Sequence, residues 1–403
     1  MEQTQMETIR LYDEDAYGTE FDARVLTCTK QEKKDGQAVY QVILDRTLFF
    51  PEEGGQSPDK GTITGACEAA VLDVQIQSGV ITHTLDAPLA EGSTVHGKID
   101  WAHRFSNMQQ HSGEHIFSGL VHSHFGFDNV GFHLSDQIVT MDFNGVLSAA
   151  DVAEMELLAN RAITENVEIQ VSYPTKEEQQ NLEYRSKIEI EGKLRIVTIP
   201  GYDVCACCAP HVRRTGEIGI LKVMSVQNYK GGVRISILCG FRALMAFREK
   251  AAVVEELIGA FTCGQDMLVD NILKLKAANQ SLKSELGSAR QQLLEQKLEN
   301  IPQEQPHVIL FETGLDMNAV RNAVNKLAEA HDGLVGFFVE KEQGYQYILG
   351  SHTRDCSKLA QALREELSAR GGGSQTMIQG SVTADRVTLE HFLETYLGEK
   401  VAN

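Results

Sequence analysis

The sequence predicts an α+β protein of several domains: an N-terminal small β-barrel, an α+β metal-binding domain, a long coiled-coil helix and a C-terminal α/β domain. Three observations carry this. Short strand-like segments broken by turn residues fill the first hundred positions, leucines recur at heptad spacing between 268 and 293, and strand and helix patterns alternate after 305. At 403 residues the chain exceeds one ordinary core, so roughly two to four domains are expected.

Residues 1–99 read as strands such as "DARVLTCTK", "AVYQVILD" and "AAVLDVQIQSGVITHTL", the pattern of a small barrel or sandwich. One loop, "FFPEEGGQSPDKG" from Phe49 to Gly61, is either an elaborate turn or a place where backbone approaches a ligand closely. Residues 100–240 open with the helix "DWAHRFSNMQQHSGEHIFSGLVHSHFG", with Asp100 as N-cap and Gly126 as its stop. A strand "DQIVTMDF", an amphipathic helix starting at Ser148, strands "VEIQVSYP" and "KLRIVTIP", and a hairpin "IGILKVMSVQNYKGGVRISILCG" follow. Helices beside a largely antiparallel sheet make this part α+β.

Residues 241–300 contain no proline before Ile301 and read as one long helix. Leu268, Leu275 and Leu282 repeat every seven residues, as do Ile272, Asn279, Leu286 and Leu293, offset by four. Together they form the a/d seam of a coiled coil, with Asn279 fixing register; the rival reading lays the helix on its own domain. "IPQEQP" is a linker. Residues 305–403 alternate "HVILFE", "DMNAVRNAVNKLAEAH", "GLVGFFVEK", "YQYILGS" and "DCSKLAQALREELSARG", then a glycine-rich turn "GGGSQTMIQGSV" and a closing helix through Leu397.

Composition bounds the function. No run approaches the roughly 18 apolar residues of a membrane span. The acidic, polar start "MEQTQMETIRLYDEDAYG" fits neither a secretory signal nor a transit peptide. Eight scattered cysteines in a chain of this size predict reduced thiols and a cytoplasmic location. A net charge of −19 argues against indiscriminate nucleic-acid binding, because phosphate contacts need cations. From Gly201 to Lys250, however, eight Lys/Arg face three Asp/Glu, which permits a polyanion at a defined patch.

The chemistry gathers in two motifs. His111 and His115 stand four residues apart on one helix face, a spacing that suits two ligands on one ion, although taken alone it reads first as two polar residues on a wet helix surface. The pair is not a zincin motif, because Glu114 precedes the second histidine instead of following the first. In "CACCAPHVRRTGEIG", from Cys205 to Gly219, Cys207 and His211 repeat the spacing of four. Thiolate and three imidazoles make a tetrahedral set typical of zinc. The rival is a closed local site of Cys205, Cys207, Cys208 and His211. Adjacent cysteines seldom reach one ion without strain and Pro210 stiffens the segment, so the split site is preferred, with Cys205 and Cys208 as bystanders or supporting groups.

"IDWAHRFSNMQQHSGEHIFSGL" followed by "DVCACCAPHVRRTGEIG" resembles the editing domain shared by alanyl-tRNA synthetases and the free-standing AlaX proteins. The His-x-x-x-His helix, the Cys-x-x-x-His element and the run Thr215 to Gly219 all match, and "FFPEEGGQSPDKG" and "GFHLSDQIVTMDF" are similar to family segments. The last domain resembles the DHHA1 domain, so the long form of AlaX fits nearly the whole chain. Where the family has Cys-Gly-Gly-Thr-His, this chain has Cys207-Cys208-Ala209-Pro210-His211, which puts the loop geometry in question. A class II aminoacylation domain and a Gly-rich ATP motif are not found, so the chain is expected to remove an amino acid from tRNA and not to attach one.

The resemblance implies a hydrolase that deacylates tRNA(Ala) mischarged with serine, or glycine, in a pocket containing Zn2+ held by His111, His115, Cys207 and His211. It suggests Gln56, His133 and Ser135 as substrate contacts, and Arg213, Arg214, Arg242 and Arg248 as partners of tRNA phosphates. It implies a homodimer through the long helix and C-terminal domain. Cys207 as a nucleophile and Glu114 as a base are alternatives for the chemistry, and no catalytic residue is assigned. The rival function is a non-catalytic, dimeric tRNA-binding scaffold with structural zinc.

Overall fold

The protein, a computed structural model, is described at residues 7–32, 36, 38–186 and 194–398. It packs as two units, Met1–Glu256 and Leu257–Asn403.

In the first unit, β1 (Glu20–Glu32), β2 (Ala38–Leu44), β3 (Gly61–Thr64), β4 (Glu68–Gln77), β5 (Val80–Leu85) and β6 (Thr94–Ile99) close into a barrel in the order β1-β2-β5-β4-β3-β6. Strict alternation aims Phe21, Ala23 and Val25 inward, where Leu44, Phe49, Ile63, Val74 and Leu85 complete the core. The expected barrel is present.

A titratable group sits in that interior. His83 is fully buried between Thr47 Oγ1 at 2.9 Å and the Val42 carbonyl at 3.3 Å. Burial pushes its imidazole down to about 4, against the pull of the Val42 carbonyl. The folded value lies below the unfolded one, so the unfolded chain takes up this proton first. Stability is therefore complete above pH ~6.5 and falls as the pH drops towards 4, by about 3 kcal/mol. Urea unfolding followed through Trp101, the single tryptophan, should show this acid loss shrink in His83→Gln; an unchanged pH slope would refute it.

Next, α1 (Trp101–Phe125) begins where the Asp100 side chain accepts from His103 N–H and ends at Gly126, left-handed at φ 69°, as the sequence predicts. A four-stranded sheet, β12-β13-β8-β7, packs against it, built from β7 (Asn129–Leu134), β8 (Val139–Phe143), β12 (Leu221–Tyr229) and β13 (Gly232–Cys239). The helix α2 (Ala149–Glu165) opens with Ser148 and Asp151 capping each other. A small sheet of β9 (Gln170–Ser172), β10 (Ile196–Ile199) and β11 (Asp203–Ala206) completes this part. The first residue of the predicted strand "KLRIVTIP", Lys193, lies outside the described residues. Ile116, Phe117, Met141, Phe143, Met155, Ile235 and Ile237 share one core.

The predicted single helix over 241–300 is interrupted. It forms α3 (Gly240–Phe261) and α4 (Leu268–Glu299), separated by six residues in which Thr262 adopts φ 50° and Gln265–Met267 makes a 3₁₀ turn. A β-branched residue at positive φ cannot continue a helix.

The second unit holds a five-stranded sheet, β14-β15-β16-β18-β17, from β14 (Val308–Thr313), β15 (Val335–Lys341), β16 (Gly344–Gly350), β17 (Arg370–Gly373) and β18 (Met377–Val382). Only β14 and β15 are parallel. The helix α5 (Met317–Ala330) covers one face, with Val324 and Leu327 on Phe337 and Ile348. On the other, α6 (Cys356–Leu367) and α7 (Arg386–Leu397) bury Leu359, Leu363, Leu389 and Leu393 against Phe338 and Leu349. Among the described residues no helix is long and apolar enough to cross a membrane.

Candidate metal centre

The middle of α1 is buried on all sides from Asn107 to Val121, so its polar residues must find partners inside the protein. Gly119 permits this close packing, since a Cβ there would stand 2.2 Å from the Tyr202 carbonyl. That approach brings β11 and its Asp203 beside His115.

Three further segments converge on the same point. The loop between Phe50 and Asp59 is closed by Asp59, which accepts from Phe50 N–H at 2.6 Å and donates its own N–H to the Phe50 carbonyl at 3.0 Å. Asp59 is in turn gripped by Arg104 of α1, fully buried, with Nε 3.0 and 2.9 Å from its two oxygens. Within the loop Gly55 has φ 84°, and a Cβ on it would meet the Phe132 carbonyl at 2.5 Å; the loop lies on β7 through Leu134 N–H to the Gly55 carbonyl at 2.7 Å. Downstream of β11, Arg195 Nη1 holds the carbonyls of Cys207 and Ala209 at 2.8 and 3.0 Å. Glu217 fixes the far side of that loop, accepting from the N–H groups of Arg213 and Arg214 at 2.8 and 3.0 Å.

The result is a quartet of three buried histidines and the half-buried Cys207. The ligand atoms of His111, His115, Cys207 and His211 all lie within 4.8 Å of one another, a group that can hold a metal ion. Cys207 Sγ stands 3.5 Å from His111 Nε2 and 3.3 Å from His211 Nε2. Each imidazole is anchored by its outer nitrogen: His111 Nδ1 to Gln56 Oε1 at 2.8 Å, His115 Nδ1 to Asp203 Oδ2 at 2.9 Å, His211 Nδ1 to Ser112 Oγ at 3.0 Å. Arg185 braces Asp203, with Nε on Oδ1 at 2.7 Å and Nη2 on Oδ2 at 2.9 Å.

The electrostatics match. Burial would raise the Cys207 thiol, but His111 and His211 beside it hold it well below the usual thiol range. Burial would lower His115, but Cys205, Asp203 and Cys207 hold it well above the ordinary imidazole value. Burial lowers His211 to about 3, against the pull of Cys207. Asp203 is held low by His115 and Arg185 in spite of its burial.

The other expected site residues are dispersed. Gln56 is in the centre, fully buried, and its Nε2 has no protein partner. Phe132 faces His111, ring centroids 4.8 Å apart, so its strand neighbour His133 projects from the opposite side of β7 and is exposed. Ser135 closes the β7–β8 turn through Ile138. Arg213 stacks on Tyr17, 3.9 Å from the ring centroid, and Arg248 is exposed. Arg214 reaches the Asn166 carbonyl at 2.6 Å. Arg242 is committed inside, to Ser106 Oγ, the Ser135 carbonyl and Asn107 Oδ1 at 2.7, 2.7 and 2.8 Å. Glu114 accepts from Ser118 at 2.7 Å and Asn129 at 2.6 Å.

Cys205 and Cys208 stand outside the quartet. Cys205 lies by His115 and Asp203, its thiol raised to about 11 chiefly by burial. Cys208 packs against the barrel core. Sequence reasoning missed Asp203, Ser112 and Arg185. Asp203 stands only two positions before Cys205, a carboxylate beside the motif that could have been read as a brace for a histidine ligand.

Residues 2–103 match the family described as tRNA synthetases class II (A), and residues 194–236, which carry Cys207 and His211, match the threonyl and alanyl tRNA synthetase second additional domain. The chain is 27% identical to the alanyl-tRNA editing protein Aarsd1 of Rattus norvegicus, over 97% of its own length and 99% of that protein. It is 28% identical to the alanyl-tRNA editing protein AlaX-L of Pyrococcus horikoshii, over 93% of its length and 95% of that protein. An alanine–tRNA ligase of Ignicoccus hospitalis is 33% identical over 72% of this chain, which spans about a third (32%) of that ligase. These matches bear out the resemblance read from the sequence.

Proposed function

We propose that this chain, related over nearly its whole length to free-standing alanyl-tRNA editing proteins, is a deacylase that hydrolyses the aminoacyl ester of tRNA(Ala) mischarged with serine, or glycine. The supporting observation is the quartet itself: two histidines from α1 and a Cys207/His211 pair 96 positions from His111, with every outer imidazole nitrogen already engaged.

The donor set fits Zn2+. Ligand atoms around a tetrahedral zinc lie about 3.3–3.8 Å apart, and the separations of 3.5 and 3.3 Å at Cys207 agree. His111, His115, Cys207 and His211 would hold the ion. When bound, it supplies a fixed positive charge that polarises an ester carbonyl and shapes the pocket.

The protein's own groups do the rest. With Nε2 turned inward, His111 carries its proton on Nδ1 and donates it to Gln56 Oε1. This fixes the amide so that Gln56 Nε2, which has no protein partner, is a free donor for the ester carbonyl or a serine hydroxyl. A methyl-sized difference is worth only about 1–3 kcal/mol, so size alone cannot spare alanine. A buried donor left unpaired when alanine enters discriminates further. His133, exposed, and Ser135, in the hairpin turn, would meet substrate or RNA at the rim. Arg213, Arg214 and Arg248 would meet tRNA phosphates, and Arg242 would act by fixing Ser135. The chain is proposed to act as a homodimer through the long helix and the C-terminal unit, in the cytoplasm.

The test is deacylation of labelled Ser-tRNA(Ala). Wild type should release serine and His111→Ala should not. If wild type binds the tRNA but leaves the ester intact at enzyme excess, the chain is a scaffold and the hydrolase reading fails.

A further inference from the structure

The metal centre has polar neighbours that the chemistry proposed above leaves unused. His103, Asn107, His111 and His115 follow one another at intervals of four along α1 and share one broad face. Asn107, one turn before His111, is fully buried. Its Oδ1 accepts from Arg242 Nη2 at 2.8 Å, which fixes the amide and leaves Nδ2 with no protein partner. His103, a turn further on, meets Asp136 Oδ1 through Nε2 at 2.9 Å and has no protein partner at Nδ1. Ser57 Oγ, next to Gln56 in the glycine loop, has none either.

These atoms border one segment, the end of β7 and the turn after it. Gln56 bridges to Leu134, and Ser57 N–H donates to the Leu134 carbonyl at 2.9 Å. Arg242 spans the Ser135 carbonyl and Asn107, and Asp136 reaches His103 and Lys60. A buried polar group without a partner is costly, so Gln56 Nε2, Ser57 Oγ, Asn107 Nδ2 and His103 Nδ1 in one row mark a place that a ligand completes. Two amide donors, a hydroxyl and an imidazole nitrogen suit sugar hydroxyls, which both donate and accept.

The helix supplies a ruler. It rises about 6 Å over four residues and about 12 Å over eight. With the ester at the metal, the ribose hydroxyl beside it is a few bonds away and falls at the first turn, by Asn107. The phosphate of the same nucleotide falls beyond it, towards His103. Arg242, between these turns, is half-buried and gives its hydrogen bonds to three neutral oxygens, so its charge has no carboxylate in contact among the described residues. The turn is pinned at its tip by Asp136, whose exposed pair with Lys60 is worth little, so it can lift to admit a sugar.

Resting on the deacylase reading above, we infer that this row seats the terminal nucleoside of the aminoacyl-tRNA, with Asn107 Nδ2 donating to the 2′-hydroxyl beside the ester.

The test is deacylation of a seryl RNA minihelix carrying the tRNA(Ala) acceptor stem and ending in adenosine or in 2′-deoxyadenosine. With wild type, loss of the hydroxyl should slow the reaction about tenfold more than it slows uncatalysed hydrolysis of the same esters. Asn107→Ala should lose that excess, as should Asn107→Ser, which still offers Arg242 an oxygen; both should keep their metal affinity, read with a chromophoric chelator. Equal slowing with and without wild-type enzyme overturns the inference, and the row then holds ordered water only. An excess that survives in the variants overturns it too, as does a variant that changes the preference between seryl and alanyl esters instead, since Asn107 would then read the amino acid. If wild type hydrolyses neither ester, the deacylase reading itself fails.

Discussion

Arg104→Ala is expected to lower the stability of the first unit by about 3–5 kcal/mol, the range for removing one partner of a buried ion pair. Neither Arg104 nor Asp59 is open to solvent. The guanidinium also donates to the Ala16 carbonyl at 3.0 Å and the Leu48 carbonyl at 2.5 Å, so its loss strands a carboxylate and two carbonyls together. Arg104→Lys should rescue little, because an ammonium cannot reproduce the fork. Urea unfolding followed by Trp101 fluorescence measures both; a loss under about 1 kcal/mol for Arg104→Ala would show that water compensates Asp59. The pair also closes the loop that presents Gln56, so the same variant should bind metal more weakly.

The second large effect is expected at Asp203. Asp203→Asn keeps the shape but removes the charge that raises the basicity of His115 and fixes its ring, and should weaken metal binding about 10–100-fold. Competition with a chromophoric chelator reads this directly, without any assay of activity. Ser112→Ala, which removes one neutral hydrogen bond to His211, should change affinity less. Equal effects of the two variants would mean that packing, not the carboxylate, orients the imidazoles.

What was legible in the sequence was local. The caps at Asp100, Gly126 and Ser148 obey backbone chemistry within a few residues, and the structure has them where expected. The quartet was legible because helical spacing puts His111 and His115 on one face and because Cys207 and His211 repeat it. What was not legible depends on pairs distant in the chain. Arg104 and Asp59 are 45 positions apart, His115 and Asp203 88 apart, and no periodicity announces either. Arg242 reads as a surface cation, yet burial lowers its pKa and three internal oxygens claim it. The break at Thr262 has no proline to signal it, and only the backbone angle shows it.

Because the ligands come from segments 96 positions apart, an ion seated among them is a clasp across a long loop of chain. Its affinity and the folding of the first unit are then one linked equilibrium: tighter binding raises the melting temperature, and a chelator acts as a denaturant.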